Sequence, residues 1–278
     1  MPDSIRVPQR ILAFLIVACI TIGSVGLILV AIEKSRMYFA RAEAFEILRN
    51  LPSKFRVVGK STIVKGFDGI SIHLNETNIT DEDLFYIGKL EEIVILDLSR
   101  THVGPEGLRQ CTSLVGLRQL YLADTSIGDT VWSVVDHFPK LTILDIANTN
   151  VTGERIPDSL RLPYLKSFNG DGAEINDSGL AKICKACPHL ESLSFSETNV
   201  TSNASISLNH LRRLGALSIS GTRIDDHFIV GLSVDLLKNL VVLRAQNTAI
   251  SDNTIRLLHA DYPQLRVDLG EGRQVQPR

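Results

Sequence analysis

Leu96-x-Leu98-x-x-Thr101-x-Val103 is followed by Leu120-x-Leu122-x-x-Thr125-x-Ile127 and then by Leu144-x-Ile146-x-x-Thr149-x-Val151. The threonines step by 24 residues (125 − 101 and 149 − 125). A fixed period of this size means that one small unit is copied along the chain. Such a unit cannot bury its apolar side alone, so copies stack and share one continuous core. Within each unit the apolar pair alternates with period two, as in a strand with one face inward.

The same pattern extends in both directions. Ile72-x-Leu74-x-x-Thr77-x-Ile79 precedes it. Phe168-x-Gly170-x-x-Ala173-x-Ile175 is a degenerate copy, and Leu193-x-Phe195-x-x-Thr198-x-Val200 and Leu217-x-Ile219-x-x-Thr222-x-Ile224 are strong ones. Leu243-x-Ala245-x-x-Thr248-x-Ile250 closes the set, and Leu265 begins a further strand whose pattern breaks at Asp268 and Gly270. Apolar residues recur behind each strand at Leu84, Leu108, Val131, Ile156, Leu180, Ile206, Ile229 and Ile255. They suit a helix or turn returning on the opposite side. The inward threonine is expected to bond to backbone groups left without strand partners at the turn, with identical hydroxyls stacked as a ladder. Ala173 cannot do this, so the fifth unit is expected to be the least stable.

The T-x-[IV]-[TS]-D turn, seen at Thr77-Asn78-Ile79-Thr80-Asp81 and Thr248-Ala249-Ile250-Ser251-Asp252, resembles that of cysteine-containing, F-box-associated leucine-rich repeats. It is similar also to membrane-anchored bacterial leucine-rich repeat proteins. The resemblance covers about residues 70–269. It implies an α/β leucine-rich repeat solenoid, with a parallel concave sheet and convex helices or turns. Eight or nine strands would make a sheet about 40 Å wide. It implies a scaffold for protein–protein interaction, since such solenoids are general binding surfaces. No F-box precedes the array, so a ubiquitin-ligase adaptor role is not implied.

Ahead of the array the composition changes. Residues 1–10 form a short polar flank carrying Arg6 and Arg10. Residues 11–32, ILAFLIVACITIGSVGLILVAI, contain no charge. A helix of this length spans about 33 Å, the thickness of a hydrocarbon core. A cleaved signal peptide has a shorter apolar region ending at a small-x-small site. Here the first such sites lie beyond Glu33, Lys34 and Arg36. We therefore read a single-pass transmembrane helix. Residues 33–69 are expected to form a juxtamembrane helix, ended by Pro52, and an N-terminal cap. The cap is predicted as a hairpin over residues 54–65, turning at Gly59-Lys60-Ser61. Residues 270–278 read as a polar tail. The positive-inside comparison sets Arg6 and Arg10 against Lys34, Arg36 and Arg41, and leans slightly to a solenoid outside the cytoplasm.

Net charge is −2, from 29 Lys and Arg against 31 Asp and Glu. That balance gives no electrostatic case for nucleic acid. Cys184-Lys185-Ala186-Cys187 has no second pair to complete a zinc site. Cys187 and Cys111 instead occupy the column held elsewhere by Leu90, Phe138, Leu162, Leu211, Leu237 and Tyr262, where a thiol acts as a small hydrophobe. The Asn-x-Thr triplets follow automatically from the repeated threonines. The histidines form no metal-binding set, and neither a nucleophile elbow nor a P-loop is present. No cofactor, metal, catalytic residue or small-molecule substrate is expected, and the chain does not read as an enzyme.

The residue between the two inward positions of each strand must face outward. That column is His73, Asp97, Tyr121, Asp145, Asn169, Ser194, Ser218 and Arg244, and the next outward column is Asn75, Ser99, Ala123, Ala147, Asp171, Ser196, Ser220 and Gln246. Two acids bracket a tyrosine in the first half, and tyrosine is a common interface anchor. Asp97, Tyr121, Asp145 and Asn169 are therefore the expected contact for a protein partner, which a basic or amide-rich segment would suit. The alternatives are solvated strand residues in an architectural or spacer protein with no high-affinity ligand.

Overall fold

The computed structural model describes residues 62–66 and 69–270. Ten strands form one sheet in sequence order. β1 (Thr62–Gly66) pairs antiparallel with β2 (Gly69–His73). From β2 onward every pairing is parallel: β3 (Ile93–Asp97), β4 (Gln119–Tyr121), β5 (Ile143–Asp145), β6 (Ser167–Asn169), β7 (Ser192–Ser194), β8 (Ala216–Ser218), β9 (Val242–Arg244) and β10 (Arg266–Asp268). The strand begun at Leu265 thus forms despite Asp268. The expected α/β leucine-rich repeat solenoid is present.

Only the second half of the expected cap falls within the described residues. Of the two runs assigned to a hairpin at Gly59-Lys60-Ser61, the second appears as β1, and its described partner is the first repeat strand. The register pairs Gly66 with Gly69, leaving two residues to connect the strands. Gly69 has φ +143°, and a Cβ there would lie 2.5 Å from the Glu92 carbonyl oxygen. This glycine lets the connection close against the next strand. The run 54–58 and the predicted turn lie outside the described residues. So do the apolar run 11–32, the juxtamembrane segment and the tail 271–278. Among the described residues no helix is long and apolar enough to cross a membrane.

Behind the sheet run α1 (Asp81–Ile87), α2 (Pro105–Arg109), α3 (Val131–Val135), α4 (Asp177–Ala186), α5 (Ser205–Leu208), α6 (Asp226–Gly231), α7 (Val234–Asn239) and α8 (Asp252–Asp261). Most have two turns or fewer, too short to stand alone, so packing rather than propensity holds them. The core lies between the two layers. Leu96, Leu98, Leu120, Leu122, Leu144 and Ile146 from the strands are buried, as are Leu84, Leu108, Trp132, Leu180, Ile229 and Ile255 from the helices. The fourth repeat has no helix, and turns bring in Ile156, Leu160 and Leu162 instead.

Ile206 departs from the expected inward column. It is 71% exposed, whereas Ser205 is 4% exposed. A 3-10 turn over Ser202–Ala204 precedes α5 and shifts the inward position by one residue. The next repeat leaves no room for more than a serine there. A Cβ on Gly231 would come within 2.2 Å of the Ser205 Oγ.

Every repeat turns in the same way. The residue before each threonine, or before Ala173 in the fifth repeat, has a left-handed backbone: Glu76, Arg100, Asp124, Asn148, Glu197 and Asn247 have φ between 52° and 60°, and Gly172 and Gly221 have φ 66°. For a residue with a side chain this costs about 1 kcal/mol. Bonds between repeats hold it, such as Arg100 N–H to the Ala123 carbonyl at 2.8 Å and Glu197 N–H to the Ser220 carbonyl at 2.7 Å. The threonines close the turn. Thr77, Thr101, Thr125, Thr149, Thr198 and Thr222 donate from Oγ1 to the carbonyl three residues back at 2.6 Å, and Thr248 does so at 2.8 Å. The hydroxyl bond is therefore internal to each turn, not a ladder from hydroxyl to hydroxyl.

A second device links repeats in pairs. Asp81, Asp129, Asp177 and Asp226 follow repeats one, three, five and seven, at steps near twice the basic period (129 − 81, 177 − 129, 226 − 177). Each carboxylate accepts a backbone N–H from the following repeat: Gly104, Thr152, Thr201 and Ser251 respectively. Asp129 accepts also from Thr152 Oγ1, Gly153 N–H and Arg155 N–H.

Candidate functional site

Parallel pairing places outward residues of successive repeats side by side. Asp97 is in register with Tyr121, Tyr121 with Asp145, and Asp145 with Asn169. The four expected contact residues therefore stand on adjacent strands, β3 to β6, about 4.8 Å apart from one to the next. All are half-buried, between inward neighbours that are fully buried. The row continues through Ser194 and Ser218 to Arg244 and Asp268, strands away from the acids.

Local bonds fix these side chains. Asp97 Oδ1 accepts the Ser99 N–H at 3.0 Å, Asp145 Oδ1 the Ala147 N–H at 3.0 Å, and Asn169 Oδ1 the Asp171 N–H at 3.1 Å. Each turns its backbone two residues on, a local role that Asp and Asn share. One oxygen of each acid is thus held in place. His73 Nδ1 lies 3.8 Å from Asp97 Oδ2. The Tyr121 hydroxyl donates to Gln119 Oε1 at 3.0 Å, so the ring leans along β4.

Negative charge collects here. Burial pushes the Asp145 carboxyl up, with Asp171 and Asp97 adding to the shift against hydrogen bonds from Ala147 N–H and Asn169. Burial raises the Tyr121 phenol as well, reinforced by Asp97 and Asp145. Among the described residues no lysine or arginine pairs with Asp97, Asp145 or Asp171.

A further row escaped the sequence reading. Two residues upstream, Ile95, Gln119, Ile143 and Ser167 are in register, outward and half-buried. Counting back by two from Asp97 and Asp145 finds the isoleucines, but the continuous apolar run Ile93-Val94-Ile95-Leu96 hides which of them face out. The opposite half of the face is built differently. Asp171 Oδ1 accepts from Ser194 Oγ at 2.5 Å and Ser196 N–H at 2.6 Å, and Ser196 Oγ lies 2.8 Å from Ser218 Oγ. Its small side chains satisfy one another.

Elsewhere the chemistry is quiet. Cys111 and Cys187 are free, buried thiols, as the column of packing positions predicts, and Cys184 is a third. Burial pushes Cys111 and Cys184 up to about 12 and raises Cys187 as well, which leaves all three unreactive. A depression of about 180 Å³, open to solvent, is lined by Ile156, Leu160, Arg161, Lys182 and Lys185. Its cations are occupied: Lys185 by Asp158, Lys182 by the Glu154 carbonyl, and Arg161 by the Asp158 and Leu160 carbonyls. Among the described residues no group of three His, Cys, Asp or Glu could hold a metal ion.

Residues 106–270 match the family described as FBD-associated F-box protein At5g56370, LRR repeats. Among curated proteins none matches this chain. Internalin C2 from Listeria monocytogenes is a solved structure with TM-score 0.54 and 20% identity, over 72% of this chain and 80% of that one. A leucine-rich repeat protein from Leptospira interrogans, LIC12759, matches with TM-score 0.49 and 18% identity over 66% of this chain. This chain spans 45% of that protein's length. The matched residues include the Thr248–Asp252 turn and the strands β4 to β10 described above, and the chain belongs to this family of leucine-rich repeats.

Proposed function

We propose that this protein is a membrane-tethered scaffold that holds a protein partner against the N-terminal half of its open sheet face. Binding, rather than catalysis, is the activity we infer. One observation carries the reading: Asp97, Tyr121, Asp145 and Asn169 are brought into register on adjacent strands, outward, with no lysine or arginine among the described residues paired to the acids. Nothing in the packing of the core requires a tyrosine or paired acids there. Tethering rests on the uncharged run 11–32, and we place the solenoid outside the cytoplasm.

An architectural role is the second reading. It draws on the local bonds of Asp97, Asp145 and Asn169, which give these residues a part in shaping the strand ends. A pull-down with full-length protein separates the two. Partners recovered by wild type should be lost with Tyr121→Ala/Asp145→Ala, once both are shown to be folded. Equal recovery removes the site, and no recovery by wild type favours architecture. For the tether, the chain should stay with membranes through alkaline carbonate, and protease added to intact cells should cleave the solenoid. Release by carbonate contradicts the anchor, and full protection of a cleavable domain contradicts the orientation.

A further inference from the structure

The geometry points to an arginine-bearing protein segment as the occupant of this face, with its guanidinium stacked on Tyr121 between Asp97 and Asp145. This rests on the reading that the open face binds a protein. The register sets the argument. Asp97 and Asp145 lie one strand to either side of Tyr121, so a cation above the ring is about 5 Å laterally from each carboxylate's strand. A planar guanidinium has N–H groups on both sides and stacks on an aromatic face, which a lysine ammonium cannot match. Tyr121 stands outward and half-buried on β4 with its hydroxyl held by Gln119, so the aromatic ring is already anchored at the centre of the pair of acids.

Each acid has one oxygen committed to its own backbone, at Ser99 and Ala147. That leaves the carboxylates oriented before any partner arrives, which lowers the cost of ordering them. Among the described residues no lysine or arginine of this half pairs with either acid. His73 approaches Asp97, and the row's own arginine, Arg244, stands on β9 beside Asp268. Ile95 and Ile143 lie one outward step away, on the same strands as the acids. Apolar side chains on either side of the arginine would cover them. The occupant is thus a short segment with arginine between apolar residues, and not a metal ion or a polyanion.

The chain supplies its own control. Asn169 occupies the same register position and makes the same backbone bond through Oδ1. Asp97→Asn and Asp145→Asn should therefore remove charge and keep the turn. Full-length protein in detergent is titrated with the labelled peptide Gly-Leu-Arg-Leu-Gly and a twin carrying citrulline, which has nearly the shape of arginine without its charge. Fluorescence anisotropy reads binding. We expect the arginine peptide to bind about tenfold more tightly than its twin, a difference of about 1.4 kcal/mol. Asp97→Asn/Asp145→Asn should erase that preference at an unchanged melting temperature, and Tyr121→Ala should weaken the arginine peptide. Equal binding of the two peptides, a preference that survives the double substitution, or no binding of either at about 1 mM overturns the assignment. If partner recovery still depends on Tyr121 in that case, the open-face reading stands and only the arginine assignment fails.

Discussion

The two halves of the open sheet face share one scaffold and differ in what they display. β3 to β6 carry Asp97, Tyr121, Asp145 and Asn169 beside Ile95 and Ile143, while β7 and β8 carry Ser194 and Ser218, with Ser196 just after β7, bonded mainly among themselves and to Asp171. Inward, both halves are alike. Leu144 and Leu217 are equally buried, and Thr125 and Thr222 make the same 2.6 Å bond. Folding constrains the inward positions more tightly than the outward ones, where Asp and Asn make the same backbone bond. The difference between the halves is therefore where function can be written.

The largest effects should ignore that difference. Leu144→Asp and Leu217→Asp each bury a charge without a partner, at a cost of several kcal/mol. In a stack the loss spreads to neighbouring repeats. Both should lower the melting temperature by similar amounts or prevent folding. A wild-type melting temperature for Leu144→Asp would contradict the strand register.

Asp129→Ala comes next, at about 2 kcal/mol, for the loss of several charge-assisted bonds moderated by partial exposure. Burial alone would raise this carboxyl, but Thr152 Oγ1 and the Gly153, Thr152 and Arg155 N–H groups outweigh it and hold its pKa below 3.8. A depressed folded value stabilises the protein above the unfolded pKa. That contribution is lost as pH falls below about 4. The gap between the urea midpoints of wild type and Asp129→Ala should therefore narrow as pH falls below about 4. A gap that stays constant contradicts the staple.

The fifth repeat gives the smallest test. Its Gly170 leaves a space that Phe168 fills: a Cβ at Gly170 would meet the Phe168 ring at 2.9 Å and Ile175 at 2.6 Å. Phe168 is buried and stacks on Trp132 at 6.2 Å. The larger aromatic residue thus offsets the missing leucine. What this repeat lacks is the threonine hydroxyl bond. Ala173→Thr should raise stability by about 1 kcal/mol, and Thr125→Val should lower it by a similar amount. No gain from Ala173→Thr, measured by urea denaturation, would show that the turn is closed by other means.

These cases show what the sequence makes legible. The period, the inward pair and the turn threonine are written in residue types, so the sheet order and the outward row could be read directly. Asp97, Tyr121, Asp145 and Asn169 fell into register because parallel stacking preserves repeat position. The left-handed turn was hidden because Glu76, Arg100 and Asp124 occupy a conformation usually marked by glycine. The Asp81-to-Asp226 staples were hidden because their spacing is twice the period that draws the eye. Ile206 was misplaced because one 3-10 turn shifts a helix by a residue. The pairing of β1 with β2 was not legible either, because a strand's pairing depends on its three-dimensional neighbours as well as on its own residues.

The most direct test of the central claim compares one position in each half. A photo-crosslinking residue is placed at Tyr121 or at Ser218 in full-length protein in its native cells, both variants being folded and equally abundant. The account predicts a discrete protein adduct from position 121 and none from 218. The same adduct from both positions, or an adduct from 218 alone, would contradict it.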